Sequence, residues 1–207
     1  MRLEPTALRG THVHLEPLSA AHAAELAAAA ARDRSTFGHT VVPDGEPAMA
    51  AYIEGLLADA ERGTALPFAQ RRARGGEPAD LVGCTRFMNV LWWPGRSTPA
   101  EVEIGGTWLA TDAQRTPLNT EAKLLLLSHA FDSLGVFRVA ICTAAGNTQS
   151  RTAIERLGAT FEGILRNHRP SAGALGTPGL PRDTAAYSII DTEWPTVRTR
   201  LQERLRG

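Results

Sequence analysis

The stretch from Val102 to Leu127 constrains this chain more than any other. An apolar, strand-like run, Val102 to Leu109, passes through the polar loop Ala113-Gln114-Arg115-Thr116. It then enters Pro117-Leu118-Asn119-Thr120-Glu121-Ala122-Lys123 and Leu124-Leu125-Leu126-Leu127. Thr116 followed by Pro117 reads as a helix start, since Thr caps a first-turn N–H and Pro at the first position has no bond to lose. Such a start leaves backbone N–H groups unpartnered, and the positive end of the helix dipole points the same way. That makes a seat for phosphate oxygens, and Arg115 adds a permanent cation. A plain, well-capped helix after a strand has the same appearance, so both readings stand here.

A second segment follows: Thr143-Ala144-Ala145-Gly146-Asn147-Thr148-Gln149-Ser150, continuing Arg151-Thr152-Ala153-Ile154-Glu155-Arg156-Leu157-Gly158-Ala159. An apolar strand, Val136 to Cys142, ends in a turn, Asn147 opens a short helix and Gly158 closes it. The order of these pieces, with Phe161-Glu162-Gly163 after them, resembles the GCN5-related N-acetyltransferase (GNAT) superfamily. Within it the chain is similar to the RimJ/RimL-type branch, where the loop commonly continues Asn-Thr-Glu-Ala-Lys. Arg182-Asp183-Thr184-Ala185-Ala186-Tyr187-Ser188-Ile189 is similar to that branch's last strand. The specific match covers roughly residues 101 to 194.

Read element by element, the chain predicts strands at Thr11 to Pro17, Leu66 to Arg71, Leu81 to Val90 and Glu101 to Ala110, then Val136 to Cys142, a strand ending near His168, and Thr184 to Ile190. Helices are predicted from Ala20 to about Arg32, Ala48 to Arg62, Leu118 to Leu134, after Asn147, and from Pro195. No internal repeat and no linker divides residues 1–207, so one domain is expected. The fold class is α+β, a mixed, mostly antiparallel sheet of about seven strands flanked by helices, the GNAT fold that the resemblance implies.

The resemblance implies an N-acetyltransferase that moves an acetyl group from acetyl-CoA to a primary amine, on a protein N-terminus or a small molecule, by direct attack in a ternary complex. It places the CoA pyrophosphate on Gln114, Arg115, Thr116, Leu118, Asn119 and Thr120, and the pantetheine amides along Trp108, Leu109 and Ala110. The family pattern there is Gln/Arg-x-x-Gly-x-Gly/Ala. This chain matches at Gln114 and departs with Pro117 and Asn119 where small residues usually stand, and proline offers no N–H. Asn147 is the candidate for the opposite wall of the cleft, beside its ordinary capping role. Glu103 is the candidate base, with Glu101 competing on the same strand face. Ile154 stands where many members carry an acid tyrosine, which leaves Ser150 as the candidate donor to the departing thiolate, or else as a hydroxyl bonding back to its helix. The carboxylate that RimL-like enzymes carry after the next strand is replaced near Arg169. Trp92 and Trp93 are candidate substrate-wall residues, and Asp183 reads as a turn residue or an ion pair with Arg182. The alternative is a non-catalytic acyl-CoA-binding module.

Composition narrows the rest. Twenty-two basic and 22 acidic side chains leave no basic field for nucleic acid. No apolar run approaches a membrane span, and Met1-Arg2-Leu3-Glu4-Pro5 lacks a signal-peptide layout, so a cytoplasmic protein is expected. Cys84 and Cys142 make neither a metal site nor a disulfide framework and read as small buried hydrophobes. No metal is called for, neither GxGxxG nor a P-loop is present, and a homodimer is compatible with the resemblance.

Overall fold

Among the described residues eight strands form one sheet: β1 (Leu8–Arg9), β2 (Val13–Pro17), β3 (Ala65–Arg74), β4 (Glu77–Leu91), β5 (Glu101–Leu109), β6 (Arg138–Ala144), β7 (Thr160–Pro170) and β8 (Pro181–Ile190). Their spatial order is β1-β2-β3-β4-β5-β6-β8-β7. The computed structural model describes residues 2–173, 175–177 and 179–206. Every neighbouring pair is antiparallel except β5 and β6, which run parallel. The sheet is thus mixed and mostly antiparallel as expected, with one strand more. Leu8–Arg9 folds back on His14 and Leu15, and two residues carry no periodicity by which to see them.

Five α-helices among the described residues cover the faces: α1 (Ala23–Ala31), α2 (Glu46–Glu61), α3 (Pro117–Ser128), α4 (Thr148–Leu157) and α5 (Trp194–Arg206). Leu26, Met49 and Ile53 of α1 and α2 pack with Leu81, Cys84 and Trp108 on one face. Leu118 and Leu126 of α3, Ile154 of α4 and Leu201 of α5 pack with Val102, Ile104, Val139, Ile141, Tyr187 and Ile189 on the other. Each fully buried side chain of this size contributes about 1.5–3 kcal/mol. Because side chains alternate along a strand, Glu103, Ala140, Cys142, Thr184 and Arg182 stand on the face away from α3, α4 and α5.

The Asn-Thr-Glu-Ala-Lys run has a structural job at two positions. The buried Glu121 carboxylate accepts N–H bonds from Thr11 (2.9 Å), His12 (2.6 Å) and Val13 (2.9 Å), fastening the β1–β2 turn to α3. Lys123, also buried, donates from Nζ to Thr107 Oγ1 at 2.9 Å. The helix expected to run to Leu134 is α-helical only to Ser128. It ends in a π-helical turn, His129–Ser133, with Leu134 N–H on His129 O. Among the described residues no helix is long and apolar enough to cross a membrane.

Candidate active site

The two parallel strands part company. β5 and β6 pair only through Glu101↔Arg138, Val102↔Val139 and Glu103↔Ala140. Beyond Glu103, β5 stays paired with β4, while β6 stays paired with β8 through Ala144↔Thr184. A gap lined by unpaired backbone therefore opens between Ile104–Leu109 and Ile141–Ala144. At its start β5 bulges: Cys84 pairs with Trp108 but Arg86 pairs with Gly105, so β5 spends one extra residue. Gly106 takes φ +57, which is open to glycine at little cost, and a bulge leaves one backbone unit unpaired and re-aimed.

Both strands run into helix N-termini on the same face, over the carboxyl ends where ligands of parallel strands collect. Ahead of α3, Thr116 Oγ1 faces the Leu118 N–H at 3.4 Å and donates to Ala113 O at 2.8 Å. Arg115 is exposed with φ +58, a left-handed conformation uncommon outside glycine and asparagine. Gln114 does not face the mouth as a free side chain; its Nε2 bonds Leu109 O and Thr36 Oγ1, each at 3.0 Å. Leu118 and Thr120 are buried, so their side chains belong to the packing, and Asn119 Oδ1 is buried without a partner. Ahead of α4, Asn147 Oδ1 accepts the Ser150 N–H at 3.0 Å. Ser150 is half-buried in the first turn, and Ile154 belongs to the core.

Of the strand residues expected along the pantetheine, Trp108 and Ala110 have their backbone largely committed. Ala110 N–H donates to Val82 O (2.7 Å), and Trp108 O accepts Gln70 Nε2 (3.3 Å). Alternation then directs the Leu109 N–H away from β4, into the gap. The Trp108 ring is buried beneath α1 and α2, edge-on to Phe37 at 5.8 Å.

Glu103 lies at the apex of the gap, on the face away from α3, only 4% exposed. Arg169 at the end of β7 grips both of its oxygens, Nη1–Oε1 at 2.9 Å and Nη2–Oε2 at 2.6 Å, and Asn89 Nδ2 adds 2.9 Å to Oε2. A carboxylate has about four acceptor positions, and three are filled. This ion pair competes with the base role read from the sequence, and it raises the Arg169 guanidinium, first through the hydrogen bond to Glu103. Glu101 instead pairs with Arg138 at 3.3 Å. Cys142 is half-buried close by, and burial pushes its thiol up to about 11.

Past this cluster is a cavity of about 460 Å³, bounded by Ala144, Ala145 and Gly146 at the end of β6 and by Arg182 and Asp183 of β8. His39 and Leu175 also line it, and the Leu175 N–H bonds Gly38 O at 2.8 Å, so the α1–α2 and β7–β8 loops meet across it.

Two expectations are corrected. Trp92 and Trp93 lie at the other end of the sheet, where β4 turns towards β5. Trp93 packs on Phe137 at 5.5 Å, and Trp92 leans on the main core. Phe137 precedes Ala144 by seven residues, roughly 23 Å along a strand, so the tryptophans do not wall this cavity. Of the two readings of Asp183, a turn residue or an ion pair with Arg182, the second is not formed; its Oδ1 accepts the Asn167 N–H at 2.8 Å. The bulge, Asn89 and the Arg169 grip were missed. Gly105-Gly106 inside an apolar strand was the available signal for the first; Asn89 and Arg169 are distant in sequence and left none.

Comparison with known proteins agrees with this geometry. The family model described as "Acetyltransferase (GNAT) domain" matches residues 12–160. YdaF of Bacillus subtilis, whose name proposes ribosomal N-acetyltransferase activity, is 36% identical over 89 residues, 43% of this chain and 45% of that protein. The chain thus spans a little under half the length of that relative. A GCN5-related N-acetyltransferase from Brucella melitensis superposes with a TM-score of 0.81 at 30% identity, over 99% of this chain and 87% of that one. Mycobacterium smegmatis RimJ, solved with CoA-disulfide, shares the fold at a TM-score of 0.74 and 22% identity, over 97% and 93% of the two chains.

Proposed function

The chain belongs to the GNAT acetyltransferase family, and on that premise we propose that it moves an acetyl group from acetyl-CoA to a primary amine by direct attack in a ternary complex. The observation that carries the reading is the gap between β5 and β6, with a helix N-terminus over the carboxyl end of each strand. In this reading the pyrophosphate rests on backbone N–H groups of Arg115, Thr116 and Leu118, with the Arg115 side chain as counter-ion. Pro117 adds no donor but fixes the helix start. The pantetheine arm lies against the Leu109 N–H and Asn147, which brings the thioester to the Gly105–Gly106 bulge. A backbone N–H freed there suits the developing oxyanion, because a donor fixed in advance needs no reorganisation.

The acceptor enters from the cavity on the opposite face of the sheet. Its ammonium loses a proton to water before the amine nitrogen attacks the thioester carbon. The attacking nitrogen gives its second proton to water as the C–S bond breaks, and the thiolate takes a proton from the Ser150 hydroxyl, which is replenished from solvent. Glu103 holds Arg169 in place at the apex; its fourth acceptor position is the alternative outlet for the ammonium proton. No metal enters this scheme. The neutral overall charge offers no steering towards polyamines or basic tails. A cytoplasmic setting suits the donor, and the exposed β7 edge, with Phe161, Ile164 and Leu165, supports a homodimer.

A second reading, a non-catalytic acyl-CoA-binding module, is favoured by Pro117 and by Ile154 in place of an acid. Thiol release from acetyl-CoA over a panel of primary amines, read beside thermal melts, separates the two. The enzyme reading expects a raised melting temperature and amine-dependent release. A raised melting temperature without release with any amine favours the module, and no shift at millimolar acetyl-CoA overturns both.

A further inference from the structure

We infer that the amine acceptor carries an anionic group, a carboxylate or phosphate monoester a few bonds from the amine, and that Arg182 receives it in the cavity beside β6. The inference rests on the acetyl-transfer reading and names its substrate class: small, amino-acid-like amines rather than polyamines. Three observations on this cavity and the charges around it lead there.

Arg169 and Arg182 are direct cross-strand partners on β7 and β8. Like charges directly opposite each other are unfavourable unless something neutralises them. One carboxylate is at hand, and Glu103 is spent on Arg169 with both oxygens. Asp183 is adjacent in sequence, yet its carboxylate accepts the Asn167 N–H. Arg182 therefore forms no ion pair among the described residues. Its Nη1 reaches only Thr184 Oγ1 (3.2 Å) and Asp183 O (3.4 Å), and its Nε is buried with no partner.

Arg182 lines the cavity, and the donors of its guanidinium are only partly used. A planar fork of N–H groups matches the two oxygens of a carboxylate or phosphate. Burial and the neighbouring Arg169 lower the Arg182 guanidinium from its ordinary value, and the opposing pull of Glu103, held by Arg169, does not offset them.

The volume, about 460 Å³, is that of a small-molecule site. The Leu175–Gly38 bond ties the α1–α2 loop to the β7–β8 loop at the edge of this cavity. Arg182 stands on the sheet face away from α3 and α4, whose N-termini suit the donor's phosphates, so the unmet anion belongs to the acceptor.

The test is a thiol-release assay with matched amines: an amino acid against its amide, phosphoethanolamine against ethanolamine, and spermidine. Wild type is expected to prefer the anionic member of a pair by about tenfold or more in kcat/KM, as a site built around a polar group discriminates against an analogue lacking it. Arg182→Gln should bring that ratio to within about twofold of unity, with Arg182→Lys in between. A wild type that uses the amide or spermidine best, or an Arg182→Gln that keeps the ratio, overturns the inference. Weaker CoA binding by Arg182→Gln with dephospho-CoA unaffected would also overturn it, because the anion would then be the donor's own phosphate. A thermal melt with an N-acetylated amino acid plus CoA keeps the two readings apart. Stabilisation of wild type but not of Arg182→Gln, with no amine turned over, leaves the anion site standing and sinks acetyl transfer. Turnover whose ratio and melts are indifferent to Arg182 does the reverse.

Discussion

Replacing Lys123 with methionine should make the protein more stable, and the gain should depend on pH. The Lys123 ammonium is buried on α3 with one partner, Thr107 Oγ1, and no carboxylate pairs with it among the described residues. Burial lowers it from an ordinary 10.5 to about 8. Because the folded-state value lies below the unfolded one, the folded chain binds the proton less readily. The penalty is full below pH 8, shrinks as pH rises towards 10.5, and is gone above. That difference corresponds to about 3 kcal/mol. Methionine, one atom shorter, keeps most of the packing without the charge. It forfeits a hydrogen bond of about 1 kcal/mol, while Thr107 keeps Thr85 Oγ1 at 2.9 Å. The net expectation is a gain of about 2 kcal/mol at pH 7 that fades by pH 10. Urea unfolding of both proteins at the two pH values reads it directly. A variant less stable at pH 7, or a difference that does not change with pH, would refute the claim that Lys123 is a desolvated, unpaired cation.

Glu103→Gln should lower kcat at pH 7, and raising the pH to 9 should not restore it, because the loss comes from a loosened Arg169. Recovery at high pH would instead make Glu103 the proton acceptor. Asn147→Ala should cost about 1 kcal/mol of stability and weaken CoA binding, whereas Ser150→Ala should cut kcat on the order of tenfold or more with CoA affinity unchanged. Equal stability losses with unchanged kinetics would reduce both residues to helix capping. Gly106→Ala forces a side chain onto φ +57 with its Cβ 2.6 Å from Arg86 Cζ, at about 1–2 kcal/mol for the backbone alone. Calorimetry should show that cost and kinetics a lower kcat, and wild-type kcat would show that the bulge takes no part in the chemistry.

Much of the fold was legible because its signals are local. Thr116-Pro117 and Asn147 announce helix starts, Gly158 announces a stop, and Val102–Leu109 reads as a strand whatever it packs against. The sheet's parting was not legible, since it depends on how far two distant strands stay in register. Charge partners were the least readable part. Glu103 meets Arg169 across 66 positions, and Glu121 meets the β1–β2 turn across roughly 110; no spacing rule reaches so far. The tryptophans misled because a hairpin loop can lie at either end of a strand. Gln114 and Trp108 matched the expected pattern in sequence, while their amide and carbonyl groups are tied into the protein's own hydrogen bonds.

The structure of the protein crystallised with CoA tests the central claim most directly. The predicted result places the pantetheine arm between Leu109 and Ala144 with the thiol beside the Gly105–Gly106 bulge, the pyrophosphate on the Arg115, Thr116 and Leu118 N–H groups, and the cavity at Arg182 open to the sulfur from the other face. CoA bound away from the β5–β6 gap, or an unfilled gap at saturating CoA, would contradict it.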